Sequence, residues 1–119
     1  MIARDNGRFG EDRAAAFLRK KGYTITERNY RCRVGEIDII AEDRDFIVFV
    51  EVKTRKNDLY VQAREYVTAS KQRKIRQTAL MYLAFHETEK QPRFDVIEVY
   101  IPEGLFGTVT LNHLENAFM

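Results

Sequence analysis

One stretch limits the fold of this chain more than any other: residues 34–53, Val-Gly-Glu-Ile-Asp-Ile-Ile-Ala-Glu-Asp-Arg-Asp-Phe-Ile-Val-Phe-Val-Glu-Val-Lys. Apolar, β-branched and aromatic residues fill both arms, and charged residues fill Glu42 to Asp45, the pattern of two strands joined by a short polar turn. With the turn centred between Asp43 and Arg44, Asp38 lies opposite Phe49, Glu36 opposite Glu51 and Val34 opposite Lys53. One face then carries Ile37, Ile39, Ala41, Phe46, Val48, Val50 and Val52. The other carries Ile40, Ile47 and Phe49 near the turn, and Glu36, Asp38, Glu51 and Lys53 at the open end. Two largely apolar faces predict a hairpin at the centre of a sheet that is covered on both sides.

Charges at the edge of a buried sheet are costly unless they are paired or bind a metal. Two readings fit them. One is a solvated strand end with a Glu51–Lys53 or Glu36–Lys53 ion pair. The other is a metal-dependent phosphodiesterase centre: Asp38 and Glu51 are diagonal neighbours at roughly 7–8 Å, close enough for both carboxylates to reach one cation. Mg²⁺ or Mn²⁺ suits such oxygen donors and keeps waters, one of which can attack a phosphorus atom. Lys53, two residues past Glu51, points to the same side, where it can orient that water or offset charge on the phosphate.

The 119 residues are enough for one domain with one core and too few for two ordinary ones, so a single domain over 1–119 is expected. No run is apolar enough to span a membrane, and Met-Ile-Ala-Arg-Asp-Asn-Gly-Arg lacks a signal-peptide core, so a cytoplasmic location is expected. Cys32 is the sole cysteine, which rules out an intrachain disulfide. His86 and His113 stand isolated and give no metal-ligand spacing.

Net charge is only +2, but it is unevenly distributed. Between Lys53 and Arg76 there are eight basic residues against two acidic ones, leaving twelve basic and sixteen acidic elsewhere. Basic charge therefore starts at the candidate site and runs downstream, as a polyanion-binding surface requires.

Residues 7–21 fit a helix with Asp5 or Asn6 as N-cap and Gly22 as its stop. Glu11, Ala14, Ala15 and Leu18 form one stripe, so Glu11 faces the sheet, as a first-turn acid suiting the helix dipole or as an auxiliary carboxylate. Tyr23 to Tyr30 predicts an edge strand. Thr68 or Ser70 can cap a second helix running to about His86, with Ile75, Ala79, Tyr82 and Leu83 inward. Lys71, Arg73, Lys74 and Arg76 crowd its first turns against the helix dipole, which suits either a bound phosphate or a solvated basic face. Lys71, four residues before Ile75, shares the inward stripe and can reach the carboxylates. Arg93 to Ile101 predicts a last long strand, with a short extra strand over Thr108 to Leu111. The apolar ending at Leu114, Ala117, Phe118 and Met119 should pack back or meet another chain.

Gly7-Arg8-Phe9-Gly10-Glu11, Asn29-Tyr30-Arg31, Gly35-Glu36-Ile37-Asp38, Phe49-Val50-Glu51-Val52-Lys53-Thr54-Arg55, Lys71-Gln72-Arg73 and Arg93-Phe94-Asp95-Val96 together resemble the small bacterial YraN family. That family in turn resembles the restriction-endonuclease-like superfamily, most closely the archaeal Holliday junction resolvases. The resemblance implies a three-layer α/β/α fold with a central mixed β-sheet. It implies a Mg²⁺- or Mn²⁺-dependent endonuclease acting on DNA, branched or damaged DNA included, with Asp38 and Glu51 as metal ligands, Lys53 assisting and Glu11 auxiliary. It also implies that Lys71 or Gln72 supplies the polar group frequent on the helix after the hairpin. Leu59-Tyr60 stands where the family commonly has Phe-Gly. Arg55, Lys71, Gln72, Arg73 and Lys74 are the expected nucleic-acid contacts. A homodimer would supply two sites for two strands. The rival is a non-catalytic nucleic-acid-binding or adaptor protein that keeps the fold.

Overall fold

The computed structural model describes residues 2–56, 67–102 and 107–118, with side chains from residue 7 onward and to residue 55 in the first segment. The Leu59-Tyr60 departure and Arg64 lie outside the described residues. Two helices and five strands follow in the order α1 (Ile2–Lys20), β1 (Thr24–Cys32), β2 (Gly35–Glu42), β3 (Phe46–Lys56), α2 (Ala69–Phe85), β4 (Gln91–Ile101) and β5 (Thr110–Phe118). The strands form one mixed sheet in sequential order. All neighbours are antiparallel except β3 and β4, which run parallel because α2 carries the chain back between them.

The sheet is covered on both faces, as the hairpin requires. On one side Ala14, Ala15 and Leu18 of α1 pack on Ile39, Ala41, Val48, Val50, Ile97 and Val99. On the other, Ile75, Ala79 and Tyr82 of α2 pack on Ile37, Ile40, Ile47, Phe49 and Val96. This is a three-layer α/β/α arrangement, consistent with a restriction-endonuclease-like fold. The helix α1 starts earlier than expected, so Asp5 and Asn6 lie inside it. It ends at Gly22, whose φ of 101° only glycine adopts without strain. The cap of α2 is Thr68, whose hydroxyl accepts from Lys71 N at 3.1 Å.

The hairpin register differs from the expected one by two residues. Ile39 pairs with Val50, Ile40 with Phe49, Ala41 with Val48 and Glu42 with Ile47. The cause is Asp43, whose carboxylate accepts from Asp45 N at 2.9 Å and Phe46 N at 2.8 Å, fixing a wider turn centred one residue later. A two-residue displacement preserves the alternation of faces, so Glu51 and Lys53 stay on the side of Ile47 and Phe49. Ile37, expected beside Ile39, instead lies in the α2 core. Asn29, across from Asp38 in the β1–β2 register, has φ 53°, and this left-handed residue breaks the alternation there.

The C-terminal segment packs back as a full edge strand, longer than the expected Thr108 to Leu111. A register shift at Asp95 and the left-handed Asn116 (φ 53°) hide its regularity from the sequence. Its Phe118 stacks on Phe94, which stacks on Phe49, with centroids 5.4 and 5.6 Å apart.

Candidate functional site

The β2–β3 ladder stops at the Ile39–Val50 pair, while β3 runs on to Lys56 alongside β4. The sheet therefore forks, with β1 and β2 diverging from β3, β4 and β5. Asp38 stands at the fork: its Oδ2 accepts from Val52 N at 2.8 Å, taking the donor that β2 would otherwise have paired. Glu51 and Lys53 follow on β3 at the same point.

Glu51 is only 7% exposed and meets two cations. Its Oε2 lies 2.6 Å from Lys71 Nζ and 3.4 Å from Lys53 Nζ. Part of the ion-pair reading is thus realised, although the pair is buried where a solvated end was pictured. Glu36 takes no part; it is exposed and paired with Arg31 at 3.0 Å. Lys71 reaches the site because Thr68 starts the helix where its fourth residue's stripe faces the sheet. Glu11 comes from the opposite layer, held by Asn29 Nδ2 at 2.9 Å with Arg28 at 3.9 Å.

These charges reshape one another. Burial, then the charge of Glu51, pushes the Asp38 carboxyl up to about 7, with Glu11 adding to the rise and the Val52 N–H opposing it. Burial, together with the neighbouring Lys71, lowers Lys53. Lys71 moves the other way: burial works against its charge, but its bond to Glu51 prevails and raises it. A buried carboxyl that resists ionising beside two further acids is a place where a divalent cation would relieve repulsion. Among the described residues, no three His, Cys, Asp or Glu side chains gather into a metal-holding group. Asp38 and Glu51 are the two carboxylates that could hold such an ion, a set that suits a hard cation retaining most of its water.

The other expected contacts divide. Arg55 follows Lys53 on the same strand face. Gln72 is engaged elsewhere, its amide donating to Val67 O at 2.9 Å. Arg73 and Lys74 are exposed; Arg73, about 200° around the helix from Lys71, is turned from the carboxylates, whereas Lys74, at about 300°, stands only about 60° from Lys71.

Three residues escaped the sequence reading. Asn29 positions Glu11, and an Asn inside a strand is a signal for left-handed backbone. Glu98 is 1% exposed, sits beside Lys53 in the β3–β4 register and accepts from Asn112 Nδ2 at 2.7 Å. Its signal is an acid in the otherwise apolar run Val96 to Val99. Asp95, fully buried, accepts from Arg93 Nε and Nη2 (2.9 and 2.8 Å), His113 Nε2 (2.7 Å) and Asn116 N (2.9 Å). Arg93 also donates to the Tyr23 hydroxyl at 2.6 Å, so this network ties β4 and β5 to the end of α1.

No helix among the described residues is long and apolar enough to cross a membrane. Residues 10–99 match the family described as "Uncharacterised protein family UPF0102". A UPF0102 protein of Clostridium botulinum (strain Loch Maree / Type A3) is 47% identical over 118 residues, 97% of this chain and 94% of that protein. One from Caldanaerobacter subterraneus subsp. tengcongensis is 46% identical over 113 residues, 94% and 93% of the two chains.

Proposed function

The chain belongs to the uncharacterised protein family UPF0102, the YraN family, and from that premise we propose that it is a cytoplasmic, metal-dependent DNA endonuclease that hydrolyses phosphodiester bonds, branched DNA among its substrates. One observation carries the reading: the fork between β2 and β3 gathers Asp38, Glu51 and Lys53, with Lys71 of α2 in contact. Asp38 and Glu51 would hold Mg²⁺ or Mn²⁺. Such an ion supplies Lewis acidity and a water of lowered pKa when bound.

The chain's own residues do the rest. The Val52 N–H fixes one oxygen of Asp38 and so orients its carboxylate toward the gap. Lys53, whose charge burial weakens, sits beside Glu51 to orient the attacking water and offset charge growing on the phosphate. Lys71 exchanges Glu51 for a phosphate oxygen, and Arg55 contacts the next phosphate along the strand. Glu11 keeps the gap electronegative from the α1 side.

The test is cleavage of linear, single-stranded and junction DNAs with and without Mg²⁺ or Mn²⁺. Asp38→Ala and Lys53→Ala should each lower the rate at least about a hundredfold; undiminished cutting by both would sink the proposal. A second reading, a non-catalytic nucleic-acid-binding or adaptor protein, is favoured by Glu51 already being neutralised by two lysines. It requires salt-sensitive binding with no cleavage under any metal.

A further inference from the structure

Three of the four large hydrophobic side chains exposed among the described residues lie on α2: Leu80 (66%), Met81 (37%) and Phe85 (77%). With exposed Gln77 and Ala84 they recur at helical spacing, forming a strip on the side away from the Ile75, Ala79 and Tyr82 core. Such a strip, continuous along two turns, is more than scattered surface hydrophobicity. The strip also has charged ends of opposite sign. Exposed Arg73 and Lys74 stand at its N-terminal end, and exposed Glu87 and Glu89 follow the helix at the other.

We propose that this face of α2 binds a second copy of the chain, helix against antiparallel helix. A two-fold axis crossing α2 between Leu80 and Met81 sets Leu80 against Met81 of the second copy and Gln77 against Ala84, and brings the basic end at Arg73 and Lys74 to the segment past α2 that carries Glu87 and Glu89. The patch is self-complementary in shape and charge, as an isologous interface must be. Antiparallel packing also opposes the two helix dipoles and brings acids to an N-terminus crowded with cations, relieving an arrangement unfavourable within one chain. The face lies across the helix from Lys71, so both carboxylate sites stay open in the pair.

Light scattering after gel filtration, with no metal or nucleic acid present, reads the result apart from any cleavage. The wild-type chain should show twice the monomer mass. Leu80→Glu should raise the dissociation constant at least about tenfold with an unchanged circular dichroism spectrum. Two charge variants give a sharper arm. The chain with Arg73→Glu and Lys74→Glu has two acidic ends, and the chain with Glu87→Lys and Glu89→Lys has two basic ends. Each alone should be monomeric, and an equal mixture should dimerise. A wild-type chain monomeric at its highest soluble concentration overturns the proposal. So does a mixture that stays monomeric, or a Leu80→Glu chain that remains a dimer.

Discussion

Asp38 is the residue at which local chemistry is most exposed to experiment. Its folded pKa of about 7 stands above the ordinary 3.8, so its contribution to stability is fully present below 3.8 and lost as pH rises through about 7. Asp38→Asn keeps an acceptor for Val52 N–H and removes the charge. In metal-free protein its melting temperature should exceed the wild type's by several degrees at pH 8, the gain growing from pH near 3.8 and levelling off above 7. A scanning-calorimetry series showing no gain, or a loss, would contradict the burial of that charge. Asp95 has the opposite sign. Burial raises its pKa, but His113, Arg93 and Asn116 outweigh it and hold the carboxyl below its ordinary range. That contribution is present above 3.8 and lost as pH falls through the folded value. Asp95→Ala leaves Arg93 buried without its partner and should cost about 3–5 kcal/mol, read by urea unfolding at pH 7.

At the level of elements, the close approach of α1 to β3 rests on Gly10. A Cβ there would collide with Thr54 Oγ1 and fall 3.2 Å from Thr54 Cβ. Gly10→Ala should therefore destabilise by about 1–3 kcal/mol through overpacking, measured by thermal unfolding. The stripes of both helices, the two-sided hairpin and the reach of Lys71 are legible in the sequence because each rests on regular periodicity. What periodicity cannot carry is a single irregular residue. Asp43 widens the turn and displaces the register, left-handed Asn29 lies across from the point where Ile37 passes to the other core, and Asn116 conceals most of β5. Glu51 and Lys53 keep their face because the register error is even, and Asp38 joins them through the bond it accepts from the Val52 N–H. The roles of Glu98 and Asn29 are not legible because each depends on a side chain of another element, Asn112 of β5 and Glu11 of α1.

For the whole molecule, the basic segment from Lys53 to Arg76 is divided by the fold. Lys71 and Arg55 belong to the carboxylate side, whereas Arg73 turns outward. Only the first pair should release counterions when DNA occupies the site. Lys71→Ala and Arg55→Ala should each reduce the slope of log affinity against log salt by roughly 1, as fluorescence anisotropy over a salt series would show. An equal reduction from Arg73→Ala would place DNA on the outer helix face. The fork has a consequence of another kind. The amide of Val52 is held by a carboxylate at a point where a neighbouring strand would normally hold it. Its proton resonance is therefore a built-in sensor: a ¹⁵N–¹H spectrum should show the Val52 cross-peak migrating with a midpoint near 7 as Asp38 gains its proton, and migrating again when a cation is titrated in.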